Sequence, residues 1–444
     1  MPDLTLFLHL PAIAKIAIIF CGLLLALRLR VTLELALLTG GILLDLWAGR
    51  GLRQTLCDLG SGFADAELWM LMLMMLLIVE IGRFMTAREN ADELLSMTVR
   101  LGGRHGRIVS LMALPAVIGL VPMPAGAQFS APFVEQMAPS RDASWKCAVN
   151  YWFRHLWEYW WPLYPGTMLA ATLFALNTAR FTATLFLFTP WSLFVGYWLL
   201  IRPLRHELRI ETTSLPPSQG RQAIVLAPLV TVLAAVFLLP LLPGPWRRHD
   251  HAGIMLLPAV LGLAIAMGIV FLTELRAARR AGLARWRPPQ FGAAVCNRRA
   301  VSIFLSLLGI MLFKHMLERS QLLGEAARQL NEAHVPAMLA VMLLPFVAGI
   351  VTGASVGFVG TSFPFVVALL HAPGGQLTPL ATLFLAYGCG YVGLLLSPVH
   401  LCLLLSREYF QAPFRGVYRL LAIPVLGIFL FTLAGYGVFT WLKM

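Results

Sequence analysis

Long apolar stretches separated by short polar connectors set the pattern of this chain. Runs of about 20 residues or more fall near 4–27, 31–49, 67–85, 147–173, 181–201, 222–243, 251–275, 301–320, 378–405 and 417–442. A helix rises about 1.5 Å per residue, so about 20 apolar residues cross the roughly 30 Å hydrocarbon core of a bilayer. The pattern predicts an all-α membrane protein of about ten transmembrane helices. Two further apolar stretches, 106–139 and 336–372, are interrupted at their centres by "GLVPMPAGAQFSAP" and "GIVTGASVGFVGTSFP". Neither half of either stretch is long enough to span. Irregular backbone at membrane depth carries N–H and C=O groups that lipid cannot bond, so it persists only inside protein or beside a wet cavity. Pro122, Pro124 and Gly126, crowded within five positions, argue against one kinked helix and for a re-entrant hairpin.

Charge orients this threading, because cytoplasmic loops collect arginine and lysine. With both hairpins returning to the side they left and the Arg28/Arg30 connector inside, 23 basic residues fall on the inside and 8 outside. A first hairpin that crossed would instead send the seven arginines of 276–299 outward. Re-entry then places the first hairpin's mouth on the cytoplasmic side and the second's outside, with both termini periplasmic and the chain in a cell inner membrane. The order crossing, polar connector, hairpin, helix with polar and helix-breaking residues, plain crossing occurs twice, as an inverted repeat. The expected units are scaffold helices 1–66, a first repeat 67–221 with hairpin 106–139, connecting helices and a basic cytoplasmic loop 222–300, and a second repeat 301–444 with hairpin 336–372. The opening "MPDLTLFLHLPAIAKIAIIF" lacks a basic leader region and reads as the first helix. Inverted repeats whose broken helices meet near the midplane are a common architecture of secondary transporters.

The helix after each hairpin carries the polar residues. "NYWFRHLWEYWWPLYPG" places Asn150, Arg154, His155, Glu158, Pro162 and Pro165 in hydrocarbon. A charge there costs at least roughly 2.5–3.5 kcal/mol unless paired or wetted, so it faces the bundle interior. Arg154 and Glu158 share a face at i, i+4, and His155 lies beside it. One reading is a self-neutralised Arg154–Glu158 pair with a hydrogen-bonded histidine. The functional reading makes Arg154 the anion ligand and His155 and Glu158 the ion-coupling groups. The neighbouring aromatics Tyr151, Trp152, Trp157, Tyr159, Trp160 and Trp161 read as an interfacial belt. In the second repeat, "YGCGYVGLLLSPVHLCLLLSREYF" sets His400 just past a Ser-Pro break, about 245 residues after His155, as a third coupling candidate. At the hairpin tips, Pro124, Gly126, Gln128, Ser130, Thr352, Gly353, Ser355, Thr361 and Ser362 are the substrate-binding candidates, because a helix N-terminus at the midplane presents free N–H groups to an anion. Lys15, Glu34, Asp45, Glu80 and Lys314 fit structural pairing or snorkelling.

Composition narrows the classes. Hydrophobic residues make up 59% and charged residues 12% of 444, which assigns the chain to lipid rather than water. The net charge of +13 sits mainly in short connectors rather than on a basic folded face, which points to anionic lipid and away from nucleic acid. The six cysteines, Cys21, Cys57, Cys147, Cys296, Cys389 and Cys402, are scattered without zinc-type or redox-type spacing and read as packing thiols. No nucleophile motif, Walker loop or dinucleotide fingerprint occurs, so an enzyme is not expected. The two histidines with Glu158 could ligate a divalent ion, but the spacing is weak evidence and no metal or other cofactor is assigned beyond Na⁺ or H⁺ coupling.

"PMPAGAQFSAP", "NYWFRHLWE", "TGASVGFVG" and "GYVGLLLSPVHLCLLLSREYF" resemble the DUF401 family of membrane proteins, grouped with the ion-transporter superfamily that includes dicarboxylate, citrate and gluconate carriers. The resemblance implies a scaffold-plus-transport arrangement, often homodimeric, with substrate between two hairpin tips. A Ser-Asn-Thr tripeptide at the tips, present in the best-understood carriers, is missing here. The function expected is secondary active transport of a small carboxylate- or phosphate-type anion coupled to H⁺ or Na⁺. An amphiphilic lipid phosphate as cargo, or an intramembrane enzyme using the His/Glu cluster, are the alternatives.

Overall fold

The structure, a computed structural model, describes residues 10–86, 106–120, 126–204, 222–243, 256–280, 298–332, 336–371 and 377–443, with 90, 93 and 97 placed singly. The described residues are helical and contain no strand. In chain order the helices are α1 Ala12–Arg28, α2 Leu33–Trp47, α3 Gly51–Phe63, α4 Ala66–Thr86, α5 Gly106–Gly119, α6 Gly126–Met137, α7 Ala143–Arg154, α8 Pro165–Leu173, α9 Thr178–Phe186 and α10 Phe188–Gly196. After a π turn at Tyr197–Ile201 follow α11 Gln222–Leu238, α12 Leu257–Arg280, α13 Arg298–Arg319, α14 Leu322–Glu332, α15 Ala337–Thr352, α16 Ser355–Leu370, α17 Pro379–Leu396, α18 Leu401–Phe410 and α19 Phe414–Trp441.

Among the described residues, five helical stretches are long and apolar enough to cross a membrane: Thr178–Ile201, Gln222–Leu241, Leu257–Arg276, Pro379–Phe410 and Phe414–Trp441. A sixth arises if Gly51–Phe63 and Ala66–Ile78, bent by 48°, form one span. The ten spans expected from hydropathy are thus reduced to five or six. Helices α1 and α2 have only 17 and 15 residues, and the apolar run 147–173 is interrupted by irregular backbone from His155 to Tyr164. Hydropathy averages across that interruption, whereas the backbone does not.

Local sequence explains the breaks. Asp142 caps α7 by accepting from the Ser144 and Trp145 N–H groups at 2.8 and 3.3 Å. Beyond Arg154, Pro162 cannot donate to the helical ladder, and Pro165 restarts it as the first residue of α8. In the other half, Pro398 drives Ser397 into extended backbone (φ −68°, ψ 124°), which ends α17 at Leu396. Gly353 ends α15 in the left-handed conformation at φ 57°. The α5/α6 break and Pro124 with it lie outside the described residues at 121–125, as do the first nine residues and the basic stretch 281–297.

Packing follows a crosswise plan. Helices α5 and α6 pack together and on α7, and α15 and α16 pack together and on α17. The segments past each break then go to the opposite half: α8 packs on α16, and α18 packs on α6. Small residues permit the closest approaches. A side chain at Gly349 would strike the Gly390 carbonyl, and one at Gly393 the Phe346 carbonyl. Ion pairs fix the periphery: Lys314 meets Glu67 at 3.2 Å and Lys146 meets Glu135 at 2.7 Å. Lys15 donates to the Trp47 carbonyl at 3.2 Å. These contacts are the structural pairing expected for Lys15 and Lys314.

Gly393→Val should lower stability by about 1–3 kcal/mol or more because the new side chain has no room against α15. Gly268→Val, where nothing lies within 4 Å, should change stability by less than about 0.5 kcal/mol. Unfolding both variants in one detergent measures the difference; equal losses would contradict the close α15–α17 contact.

Candidate functional site

The two broken helices meet, and each break brings the polar side chains that the sequence places beside it. His155 is the residue after α7, and His400 is the N-cap of α18. Their Nε2 atoms stand 3.0 Å apart, and both side chains are buried. The His155 Nδ1 lies 2.5 Å from the Tyr151 carbonyl. A carbonyl only accepts, so Nδ1 carries a hydrogen, and in the neutral ring the Nε2 lone pair faces His400. The Glu158 Oε1 sits 4.0 Å from His155 Nε2, and its Oε2 lies 3.3 Å from the Tyr391 hydroxyl. Cys402, two residues past His400, is a free thiol whose Sγ lies with the two imidazoles in one group of donors within 4.8 Å of one another.

Arg154 is buried at 2% exposure. Its guanidinium lies against Gly126, so closely that a Cβ on Gly126 would overlap it. Glycine at the start of α6 is therefore what lets the arginine reach the end of the α5/α6 pair. Asn150 is fully buried and joins the halves: its Nδ2 donates to the Ala127 carbonyl at 3.0 Å and to Ser406 Oγ at 2.8 Å. Its Oδ1 has no hydrogen-bond partner among the described residues. On the other side, Gly353 presses on the His400 backbone, and the Ser397 hydroxyl donates to the Ile350 carbonyl at 2.7 Å.

The remaining expected residues divide. Ser355, half-buried, abuts Gly166 at the start of α8. The Thr352 hydroxyl donates to the Ala348 carbonyl at 2.8 Å, Thr361 to Gly357 at 2.8 Å and Ser362 to Phe358 at 2.6 Å. Those three bonds satisfy their own helices; Thr361 and Ser362 are buried there and do not join the cluster. Ser130 makes only long contacts of 3.3 and 3.5 Å to the Ala127 and Gly126 carbonyls. Gln128 is exposed.

Two expectations change. The aromatics of 151–161 are not an exposed belt: Tyr151, Trp152, Tyr159, Trp160 and Trp161 are all buried. They and their neighbours serve the broken backbone. The Tyr387 hydroxyl donates to the Glu158 carbonyl at 2.8 Å and Tyr391 to that of His155 at 3.0 Å. Thr189 donates to the Leu156 carbonyl at 2.5 Å, Trp157 to that of Ala116 at 2.8 Å, and Tyr164 to that of Gly119. Second, Cys402 stands in the polar cluster rather than merely packing, a placement hinted at only by its position beside His400 in the Ser-Pro break.

A cavity of about 820 Å³ reaches the residues that immediately precede His400. Arg28 and Arg30 line one part, Ser302 and Ser306 of α13 another, and Thr352, Ala354, Pro398 and Val399 bring it next to His400. Among the described residues two arginines and no carboxylate line it, and Glu34 stands behind the lining Ser306, whose hydroxyl it accepts at 3.3 Å. The basic connector of the sequence therefore borders this cavity, which the spacing of residues alone does not reveal.

Fold and site define a protein helical throughout its described elements, with helices long and apolar enough to cross a membrane and a buried polar cluster where two broken helices touch. The chain belongs to the family described as protein of unknown function (DUF401), which matches residues 12–243 and 254–439. Among curated proteins none matches it.

Asn150→Leu and Ser406→Ala should be coupled rather than additive in stability, by about 0.5–3 kcal/mol, because one amide bridges Ala127 and Ser406. A double-mutant cycle on unfolding in detergent measures this; strict additivity would remove the bridge.

Proposed function

We propose that the chain is a secondary transporter of a small anionic solute, a carboxylate or phosphate type, within the ion-transporter superfamily. The observation that carries this reading is the cavity leading from Arg28 and Arg30 to the end of α15, Pro398 and Val399 beside His400. An entrance whose described lining is mainly apolar and carries two arginines and no carboxylate concentrates anions and repels cations. Arg154, buried against Gly126 just beyond, is the ligand for the anion's charge. The α5/α6 and α15/α16 pairs act as re-entrant hairpins of an inverted repeat, which the crosswise α8–α16 and α18–α6 packing supports. In this topology the Arg28/Arg30 end is cytoplasmic, both termini are periplasmic, and the described conformation is open to the inside of an inner membrane. An imposed Na⁺ or proton gradient drives uphill movement, and the carrier assembles as a homodimer.

Uptake of labelled dicarboxylates and phosphate into proteoliposomes tests this. Wild type should accumulate unaltered label under a gradient, and Arg154→Gln should abolish accumulation. Arg28→Gln with Arg30→Gln should raise KM about tenfold while leaving the maximal rate, with the difference shrinking at high salt. No uptake of any anion by monodisperse wild type, or chemically altered label, would overturn the proposal.

A further inference from the structure

We infer that His155, His400 and Cys402, with Glu158 as fourth donor, form a binding site for a transition-metal ion of the Zn²⁺ type. This rests on the geometry of the cluster and stands whether or not the chain transports anions.

The donor set is assembled from both breaks. The two Nε2 atoms are 3.0 Å apart, and with Cys402 Sγ they form one group within 4.8 Å. Two nitrogens bound tetrahedrally at Zn–N distances of about 2.0–2.1 Å lie about 3.3 Å from each other. Small ring rotations therefore make the imidazole pair a chelate. Glu158 Oε1, 4.0 Å from His155 Nε2, is near enough to close the fourth position, with its other oxygen 3.3 Å from the Tyr391 hydroxyl.

The hydrogen-bond pattern gives an independent argument. His155 Nδ1 is held by the Tyr151 carbonyl, which leaves its Nε2 as an oriented lone pair, the usual outer-shell arrangement of a metal-bound histidine. If His400 merely donated a hydrogen bond to that lone pair, its own neutral ring would turn a bare Nδ1 lone pair into buried surroundings. No donor among the described residues meets His400 Nδ1. With an ion between the rings both Nε2 lone pairs face it, and the His400 hydrogen sits on Nδ1, where the Gly353 backbone is its acceptor. Cys402 is the second residue of α18, where free N–H groups and the helix dipole stabilise a thiolate.

Thiolate and imidazole donors select Zn²⁺, Co²⁺ or copper over Mg²⁺ and Ca²⁺, which demand oxygen. Loading releases the thiol proton to solvent. With a dication bound, Arg154 included, the positive charge exceeds that of the thiolate and Glu158 by one, so the loaded site remains receptive to an anion.

The test uses full-length protein, stripped with chelator and reconstituted in nanodiscs, titrated with Co²⁺ and then Zn²⁺. One Co²⁺ per chain should bind with tetrahedral d–d bands and a thiolate-to-cobalt charge-transfer band, and Zn²⁺ should bleach both. Cys402→Ser should remove the charge-transfer band, and His400→Gln should weaken binding at least about tenfold. Cys402→Ser changes only sulfur to oxygen, so it separates loss of the ligand from loss of fold, and monodispersity by size exclusion checks both variants. Wild type that binds no Co²⁺, or a charge-transfer band unchanged in Cys402→Ser, would overturn the site. Failure of anion uptake with intact metal binding would remove the transport reading alone.

Discussion

Breaking a helix in a dry interior frees carbonyl groups that neither lipid nor the helix can bond, and the buried hydroxyls around 155–158 answer that constraint. The freed carbonyls of His155, Leu156 and Glu158 each receive a hydroxyl, from Tyr391, Thr189 and Tyr387. Donors come from elements distant in sequence, so the break is stable only once the opposite half has packed on it. Folding and site formation are in this sense one event.

The same dependence explains why the chemistry gathers where it does. A backbone that must be surrounded by protein creates a dry interior lined with groups chosen for hydrogen bonding, and a few extra donors there acquire strong mutual interactions. Arg154, His155, Glu158, His400 and Cys402 are near the breaks because only there can charged and ligating side chains replace missing helical bonds without facing lipid. Asn150 shows the economy of the design: one amide serves the α6 backbone and a serine of α18.

Much of this was legible in the sequence, and the limits have physical causes. Interrupted apolar runs marked the irregular segments because proline and glycine act locally: Pro398 and Gly353 end helices where expected. His155 and His400 were paired by repeat spacing, and they do touch. The length of the spans was not legible, since hydropathy of 147–173 stays high through an irregular segment of ten residues, from His155 to Tyr164. Nor was the work of the tyrosines, whose amphipathic rings suit an interface as well as a buried carbonyl. Thr361 and Ser362 show that a hydroxyl near a tip also bonds its own helix. Cys402 required three-dimensional proximity to be distinguished from a packing thiol.

Tyr387 and Tyr391 stand one turn apart on the same helix, and both grip carbonyls of the opposite break. A shift of α17 by a single residue, about 1.5 Å along its axis, would unseat both hydroxyls together. The two halves are therefore held by a mechanical detent: sliding between them has no smooth intermediate, and any rearrangement must jump from one seated register to another.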